Sequence, residues 1–418
     1  MSSRLRVATI VTRLEAGAGE VALRGALALD PARYAVSIVA GSGSRLLGEA
    51  ASAGLEVLLE PALRSPISPA DDVAALRNLT RLLRARRDDV VHTHSAKAGA
   101  LGRIAAHRSG VGRIVHTFHG LPYHEFQSAA RRRTYIAIER RLGRITDVAL
   151  CVGTGVAVEV VRRGLAAPER VRTIGVASGG LPTPCVPRTR ARARGLLGLP
   201  ADVAVVGAVG RLAYQKAPED FVAAMVALRR PEVVGVWVGG GPLAERMRTL
   251  AGRALPQARV VLAGERADVR EVLPAFDVFA LPSRYEGLPV AIVEAMTCGI
   301  PVVATAVNAV SDVVVPGRTG LLVPPHRPRL LAAAVAHLLD HPDEAARMAE
   351  SAKASLGDRF ADRTLGDALT AAYVGTTARI DGRAAPDGPA RAAERRTRPP
   401  VAVGETDARP LPFPELEP

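Results

Sequence analysis

The sequence predicts an α/β protein made of two doubly wound, parallel-sheet domains that face each other across a cleft. Three observations carry this. Short β-branched runs alternate with longer stretches of helical periodicity, the alternation breaks once at a Gly-, Pro- and Arg-rich segment before restarting, and it stops short of the C-terminus. Strands that alternate with helices need crossover connections, which place helices on both faces of a parallel sheet. A chain of 418 residues, 48% of them hydrophobic, is long enough to bury two such cores.

In the first half, strands are predicted at 6–12, 34–40, 89–94, 113–118, 147–152 and 171–176. One helix announces its start: Ser68 as N-cap, Pro69 at the first helical position and Asp71 at the third, followed by apolar Val73, Leu76 and Leu83 at helical spacing. These elements make a first domain over 1–185. The segment 179–198 reads as an interruption, and a linker is placed at 186–200. Strands then recur at 203–209, 235–239, 259–263, 278–281, 301–305 and 320–323, giving a second domain over 201–380 whose last helix is expected to pack back on the first. Residues 381–418 hold eight prolines and no apolar periodicity, so a disordered Pro-rich tail is expected.

The formal charge of +14 is unevenly spread: 26 basic against 15 acidic groups in 1–185, 23 against 19 in 186–380, and 6 against 7 in the tail. A basic half suits nucleic acid, anionic membrane or phosphorylated ligands. Aromatic residues make up only 3% of the chain, too few for base stacking, so no nucleic-acid partner is expected. Cys151, Cys185 and Cys298 are scattered without metal-binding spacing, which implies neither a disulfide framework nor a structural metal. The apolar run from Val7 to Val11 is too short for a signal-peptide core, and no run reaches the roughly 18 apolar residues of a spanning helix. The expectation is a cytoplasmic protein, its membrane contact peripheral and on the inner face of the cell membrane.

The segment from Leu281 to Thr305 reads as strand end, loop, helix, turn and strand, with Pro289 in the first helical turn and Gly299 ending the helix. Backbone N–H groups of Gly287 and Leu288, just before that helix, suit a phosphate, aided by the helix dipole. Glu286 lies in the preceding loop, and Glu294 about 7.5 Å along the axis at 1.5 Å per residue. Alone, the two glutamates also fit ordinary solvated acids. A second signal sharpens them: Arg211 and Lys216, in Gly210-Arg-Leu-Ala-Tyr-Gln-Lys216, follow an apolar strand and place two cations where they could neutralise a leaving diphosphate.

These segments, with Gly239-Gly-Gly-Pro242, the loop at Gly264 and Ala295-Met-Thr-Cys-Gly-Ile-Pro-Val-Val-Ala-Thr305, resemble the family 4 retaining glycosyltransferases of GT-B fold, over roughly residues 5–375. The resemblance implies two Rossmann-like domains, the first holding the acceptor and the second the nucleotide-sugar. It implies that Glu286 contacts the sugar hydroxyls, Glu294 the ribose, Arg211 and Lys216 the diphosphate, and the loop of Gly264 and Glu265 the base. It also implies catalysis without a metal or other cofactor.

In the first half, Gly17 and Gly19 open a helix and match Gly-x-Gly-x-x-Ala with Ala22, a dinucleotide fingerprint. The acidic residue that fingerprint wants after the second strand is missing, and the resemblance to the glycosyltransferases implies instead a loop that faces the cleft and approaches the donor phosphate or the acceptor. His94 and His119 end apolar strands at the cleft edge, with no third metal ligand in view, whereas His92 and His116 read as core residues. The capsule and lipopolysaccharide branch of the family is similar here, and it implies that His119 meets the transferred sugar. Tyr135, Ile138, Leu142 and Ile145 recur at helical spacing beside Arg131, Arg132, Arg133, Arg140, Arg141 and Arg144, a basic amphipathic helix suited to an anionic membrane or a lipid diphosphate. Gly153-Thr154 and Ser178-Gly-Gly-Leu181 depart from the Ser-Glu and acidic endings usual in relatives.

The reading is a retaining transferase that moves a hexose-type sugar from a nucleoside diphosphate, UDP first, to a hydroxyl of a sugar, lipid-linked or small-molecule acceptor in cell-surface polysaccharide or glycolipid synthesis. The alternatives are a GDP-mannose-type donor, a natural-product acceptor, a nucleotide-sugar epimerase, and a non-catalytic binding protein of the same fold.

Overall fold

The computed structural model describes residues 4–15, 17–121, 123, 127–175 and 185–375. The expected tail, and the Ser178–Leu181 departure, lie outside the described residues.

The first lobe is a seven-stranded parallel sheet, ordered β3-β2-β1-β4-β5-β6-β7. Its strands are β1 (Leu5–Leu14), β2 (Tyr34–Gly43), β3 (Glu56–Leu59), β4 (Val90–His94), β5 (Arg113–Phe118), β6 (Val148–Cys151) and β7 (Val171–Thr173). The helices between them are α1 (Ala18–Leu27), α2 (Arg45–Ser52), α3 (Pro69–Arg86), α4 (Ala96–Arg108), α5 (Ala129–Gly143) and α6 (Thr154–Arg162). The second lobe is a six-stranded sheet, β10-β9-β8-β11-β12-β13, every pair parallel. Its strands are β8 (Ala204–Val209), β9 (Val233–Val238), β10 (Arg259–Gly264), β11 (Val278–Leu281), β12 (Val302–Thr305) and β13 (Leu321–Val323). The accompanying helices are α7 (Pro187–Leu196), α8 (Pro218–Leu228), α9 (Ala244–Ala254), the single turn α10 (Val269–Val272), α11 (Val290–Cys298), α12 (Pro328–Asp340), α13 (Pro342–Leu356) and α14 (Asp362–Val374). Strand order reverses between β1 and β4 and between β8 and β11, and crevices for ligands open at such reversals, beyond the strands' carboxyl ends.

Several elements differ from the sequence expectation. The edge strand β3 was not predicted: its four residues, Glu-Val-Leu-Leu, are only partly buried and show no alternation. The interruption at 179–198 contains α7, which begins at Pro187 and presents Arg190 and Arg194 to Asp277. Asp277 also accepts the Val205 N–H at 2.7 Å, so these arginines fasten the segment to the start of the second sheet. In α3, Ser68 and Pro69 hold their expected places, but Asp72 rather than Asp71 takes the Ser68 N–H, at 3.3 Å, and Ala75, Leu79 and Leu83 form the buried stripe while Val73 is exposed.

Helix α14 leaves the second lobe and packs on the first. Leu365, Leu369 and Tyr373 join Val7, Val90, Val115 and Val148 in one apolar cluster under the first sheet. The chain thus passes between lobes twice, between β7 and α7 and again before α14. Val21 and Val152 of the first lobe also pack within the second lobe's core cluster.

Candidate active site

Three loops interlock at the carboxyl edge of β8, β9 and β10. Leu212 N–H donates to Gly240 O at 2.7 Å, Gly239 N–H to Gly264 O at 2.7 Å, and Trp237 Nε1 to Gly210 O at 2.8 Å. Gly239 has φ +138°, and a Cβ there would lie 2.2 Å from Gly210 O, so only glycine fits this approach. The Arg211 side chain stands exposed beside this knot, and Glu265 packs against Gly240 at the end of β10. Lys216 closes the short turn Tyr214–Lys216, and Ala217 follows in the left-handed region at φ +49° before α8 starts.

Glu286 is buried, and three donors surround its carboxylate: Lys216 Nζ at 2.6 Å, Ser283 Oγ at 2.5 Å and Gln215 Nε2 at 3.3 Å. Its own N–H donates to Asn308 Oδ1 at 3.1 Å, with Asn308 held at φ +41°. Burial of an ion is costly unless it is paired and hydrogen-bonded, and here the carboxylate is both. Two residues predicted for separate tasks, the sugar and the diphosphate, therefore meet in a direct ion pair. Beside them Arg284 is buried over the Tyr214 ring, 4.2 Å from its centroid, and pairs with Glu219 at 3.0 Å.

Pro289 is the N-cap of α11 rather than a residue of its first turn, and no side chain caps that end. Leu288 buries its side chain in the core and so anchors the loop. Among the described residues, no protein acceptor takes the N–H of Gly287 or Leu288. Glu294 lies inside α11, 3.5 Å from Arg270 Nε. Burial pushes its carboxyl up to about 7, against the lowering effect of Arg270, and the charges of Glu20 and Arg24 on α1 also reach it.

In the first lobe, Gly17 is the N-cap of α1 at φ +72°, and a Cβ on Gly19 would lie 2.8 Å from Arg13 O. The two glycines thus let α1 start directly against the end of β1. His92 and His116 are buried core residues as expected: His92 bonds Tyr373 Oη and Thr117 Oγ1, both at 2.7 Å, and His116 bonds Thr93 Oγ1 at 2.9 Å. His94 Nδ1 lies 2.9 Å from His119 Nε2, with the rings stacked. Burial lowers the His119 imidazole to about 4 and the His94 imidazole well below its usual value, so both are neutral at pH 7. Among the described residues, no group of three or more His, Cys, Asp or Glu is arranged to hold a metal ion.

The lobes meet at this site. A Cβ on Gly287 would lie 1.8 Å from His119 O, and Gly120 rests against Gly287 from the other side at φ +150°. A second contact joins Asp312, after β12, to the start of α6: its Oδ2 accepts the Thr154 N–H at 2.5 Å. A Cβ on Gly153 would lie 2.7 Å from that same oxygen. The departure at Gly153-Thr154 is thereby explained, because the other lobe supplies the cap that a local side chain would otherwise provide.

The structure brings Lys216, Glu286, Gly287, Leu288 and the His119 backbone together, sets Arg211, Gly264 and Glu265 along the adjoining loops, and pairs Glu294 with Arg270. Sequence reasoning missed Ser283, Asn308, Asp312 and Arg270 as contributors. Ser283 and Asn308 each sit two or three residues past a strand's carboxyl end, which was the available signal. The expected apolar stripe of α5 is also revised: Leu142 is buried and Ile138 is 41% exposed, while Glu139 turns inward to Arg103, at 2.8 Å. Arg131, Arg133, Arg140, Arg141 and Arg144 are exposed.

Residues 190–355 match the family described as glycosyl transferases group 1, and residues 16–175 match Glycosyltransferase Family 4. The chain is 32% identical over 255 residues to an Escherichia coli UDP-Gal:alpha-D-GlcNAc-diphosphoundecaprenol alpha-1,3-galactosyltransferase, a match covering 59% of this chain and 65% of that relative. It is 34% identical over 310 residues to the D-inositol 3-phosphate glycosyltransferase of Saccharomonospora viridis, covering 68% of this chain and 69% of the relative. The chain thus spans about two thirds of the length of these curated relatives. Among solved structures, the fold is similar to Anabaena Alr3699/HepE in complex with UDP and glucose (TM-score 0.75, 20% identity, 88% of this chain and 98% of that one). It is also similar to WaaG, a glycosyltransferase involved in lipopolysaccharide biosynthesis (TM-score 0.69, 18% identity, 88% and 100%).

Proposed function

Because this chain belongs to the family 4 glycosyltransferases, we propose that it is a retaining transferase that moves a hexose-type sugar from a nucleoside diphosphate, UDP by preference, to a hydroxyl of an acceptor held by the first lobe. The observation that carries this reading is the Lys216–Glu286 pair, placed beside the uncapped start of α11, where the next residue, Gly287, meets the His119 carbonyl of the opposite lobe. A diphosphate would take the N–H groups of Gly287 and Leu288 together with Arg211 and Lys216, and Glu286 would turn its freed oxygen to the sugar hydroxyls. Glu294 would accept from the ribose, and the loop of Gly264 and Glu265 would flank the base, with the Gly17–Gly19 turn facing the donor from across the cleft. The acceptor hydroxyl attacks the anomeric carbon on the face the diphosphate leaves, and its proton passes to the departing phosphate oxygen. Cations and helix N–H groups stabilise the charge that develops there, so the step needs no metal or other cofactor.

Support for UDP comes from the UDP-Gal donor of the E. coli relative and from the nucleotide in the Anabaena structure. The first relative's diphosphoundecaprenol-linked acceptor and the second's inositol phosphate both make an anionic acceptor the reading of choice. A thermal-shift screen tests the donor: UDP and UDP-sugars should raise the melting temperature above the effect of GDP, about 2.7 kcal/mol being gained at 100 Kd. Failure of every nucleoside diphosphate to shift it would defeat the proposal, and conversion of a UDP-sugar to its isomer without acceptor would replace transfer with epimerisation.

Among the described residues no helix is long and apolar enough to cross a membrane. Membrane contact would be peripheral, through the exposed arginines of α5 and the exposed Ile138. Flotation with vesicles of anionic lipid should weaken when Arg131, Arg133 and Arg141 are neutralised, and unchanged flotation would remove the membrane from the account.

A further inference from the structure

His94 has no place in the mechanism above, yet it is 3% exposed at the end of β4, and its ring makes one hydrogen bond among the described residues, to the histidine assigned to the sugar. Two neutral imidazoles 2.9 Å apart share one proton: one nitrogen must donate and the other accept. Only two arrangements are possible. In the first, His119 Nε2–H donates to His94 Nδ1, and the His94 proton then sits on Nε2. That atom is buried and has no partner among the described residues, and a buried N–H with no acceptor is among the rarest and costliest groups in a folded protein. In the second, His94 Nδ1–H donates to His119 Nε2, leaving only a lone pair on the buried His94 nitrogen. The His119 proton is then on Nδ1, the one ring nitrogen of His119 with no hydrogen bond among the described residues.

We propose that His94 is a positioning residue that fixes His119 as its Nδ1–H tautomer, so that His119 donates a hydrogen bond to a hydroxyl oxygen of the transferred sugar. The surroundings sustain this assignment. Desolvation keeps both rings neutral, since the pKa values of His94 and His119 lie far below 7. His92 lies against His94, ring centroids 4.1 Å apart at a 41° tilt, and is itself locked by Tyr373 and Thr117, and turning the His94 ring over would put Cδ2 where Nδ1 stands and lose the bond to His119. On the far side, the His119 carbonyl bears on Gly287, which fixes the backbone from which the ring extends. A side chain set to donate complements the rest of the site: Glu286 can only accept from the sugar, whereas His119 meets a hydroxyl through its oxygen. The pair would discriminate a correctly oriented hydroxyl from one that is inverted or absent.

The proposal rests on the reading of His119 at the sugar, and its test separates the two. In the full chain carrying 15N-labelled histidine, long-range proton–nitrogen spectra report which ring nitrogen of His119 is protonated, the signal being assigned by its loss in His119→Ala. A protonated Nδ1 is expected, and a protonated Nε2 overturns the proposal whatever the substrate. Binding of UDP-glucose and UDP-galactose, each against UDP, reads the consequence. His94→Leu should weaken UDP-sugar binding about three- to tenfold and leave UDP unchanged, which also shows that the variant is folded. His94→Asn should restore the sugar's contribution, because its amide N–H stands where Nδ1–H stood. Adding His94→Leu to His119→Ala should cost nothing further, and additive losses would show that His94 acts through packing rather than through His119. If His119→Ala binds both UDP-sugars as well as wild type while Nδ1 is protonated, it is the placement of His119 at the sugar that fails, and with it the hydrogen bond proposed here.

Discussion

Replacing Gly287 by alanine tests whether the two lobes must touch for the protein to work. The added Cβ would lie 1.8 Å from the His119 carbonyl oxygen and 2.8 Å from its carbon. An ordinary contact needs roughly 3.4 Å, so something must move by about 1.5 Å, and both obstacles are backbone atoms that no rotamer change can shift. Overpacking of this kind costs about 1–3 kcal/mol, which corresponds to about a 5- to 150-fold loss of the closed arrangement. The second lobe holds its own core, so UDP binding should survive while transfer falls. The assay is the initial rate of acceptor-dependent UDP release at saturating donor, alongside UDP affinity and melting temperature. Gly48→Ala, in α2, is the control: its Cβ would meet nothing within 4 Å, and its rate should be that of wild type. A Gly287→Ala protein that transfers at the wild-type rate would refute the argument that the Gly287–His119 contact belongs to the working state.

Three other expectations follow from the same geometry. Glu294 has its folded pKa raised to about 7, so the folded state binds its proton more tightly than the unfolded chain does, and stability should fall as pH rises from about 4.5 to 7. Glu294→Gln should flatten that window in urea titrations at several pH values, and an unchanged slope would place the titration elsewhere. Lys216→Ala strips the charged partner from Glu286 and should cost up to about 3 kcal/mol; in a Glu286→Gln background the cost should shrink, giving a coupling of about 1–3 kcal/mol, whereas additive penalties would mean that the pair contributes nothing. Asp312→Ala removes the carboxylate from the start of α6 and should lower stability by about 1 kcal/mol, read by chemical denaturation against Asp312→Asn, which retains an acceptor.

The loops proposed to hold the donor were legible as strand-end loops because each follows a clean apolar strand, and a parallel sheet brings all such loops to one edge. Gly210, Arg211, Lys216, Gly239, Gly264 and Glu286 could therefore be placed from order alone. What the sequence hid has a common cause: it depends on partners far along the chain. Nothing near Gly153-Thr154 announces that Asp312 will cap α6, 158 residues away. Nor does Tyr373 on α14 announce a bond to His92, 281 residues earlier. The α7 segment looked like linker because proline, glycine and arginine dominate it, and its helix is held by Asp277 rather than by its own propensity. Strand β3 was missed because it is short and only partly buried, and α5 was misjudged at Ile138 because the inward place beside it went to Glu139, paired with Arg103.

By itself, the sequence determined the two alternating α/β repeats, the ends of most strands, and the family, since periodicity and strand-end motifs are local properties. The tertiary structure alone decided that Lys216 and Glu286 neutralise each other, that burial lifts Glu294 to about 7, and that His119 faces His94 on one side and Gly287 on the other. Those are facts about distance and solvent exclusion between segments. No local pattern encodes them, because they arise only when segments far apart in the chain pack together and exclude water, within each lobe for Lys216–Glu286 and His94–His119 and between the lobes for His119 and Gly287.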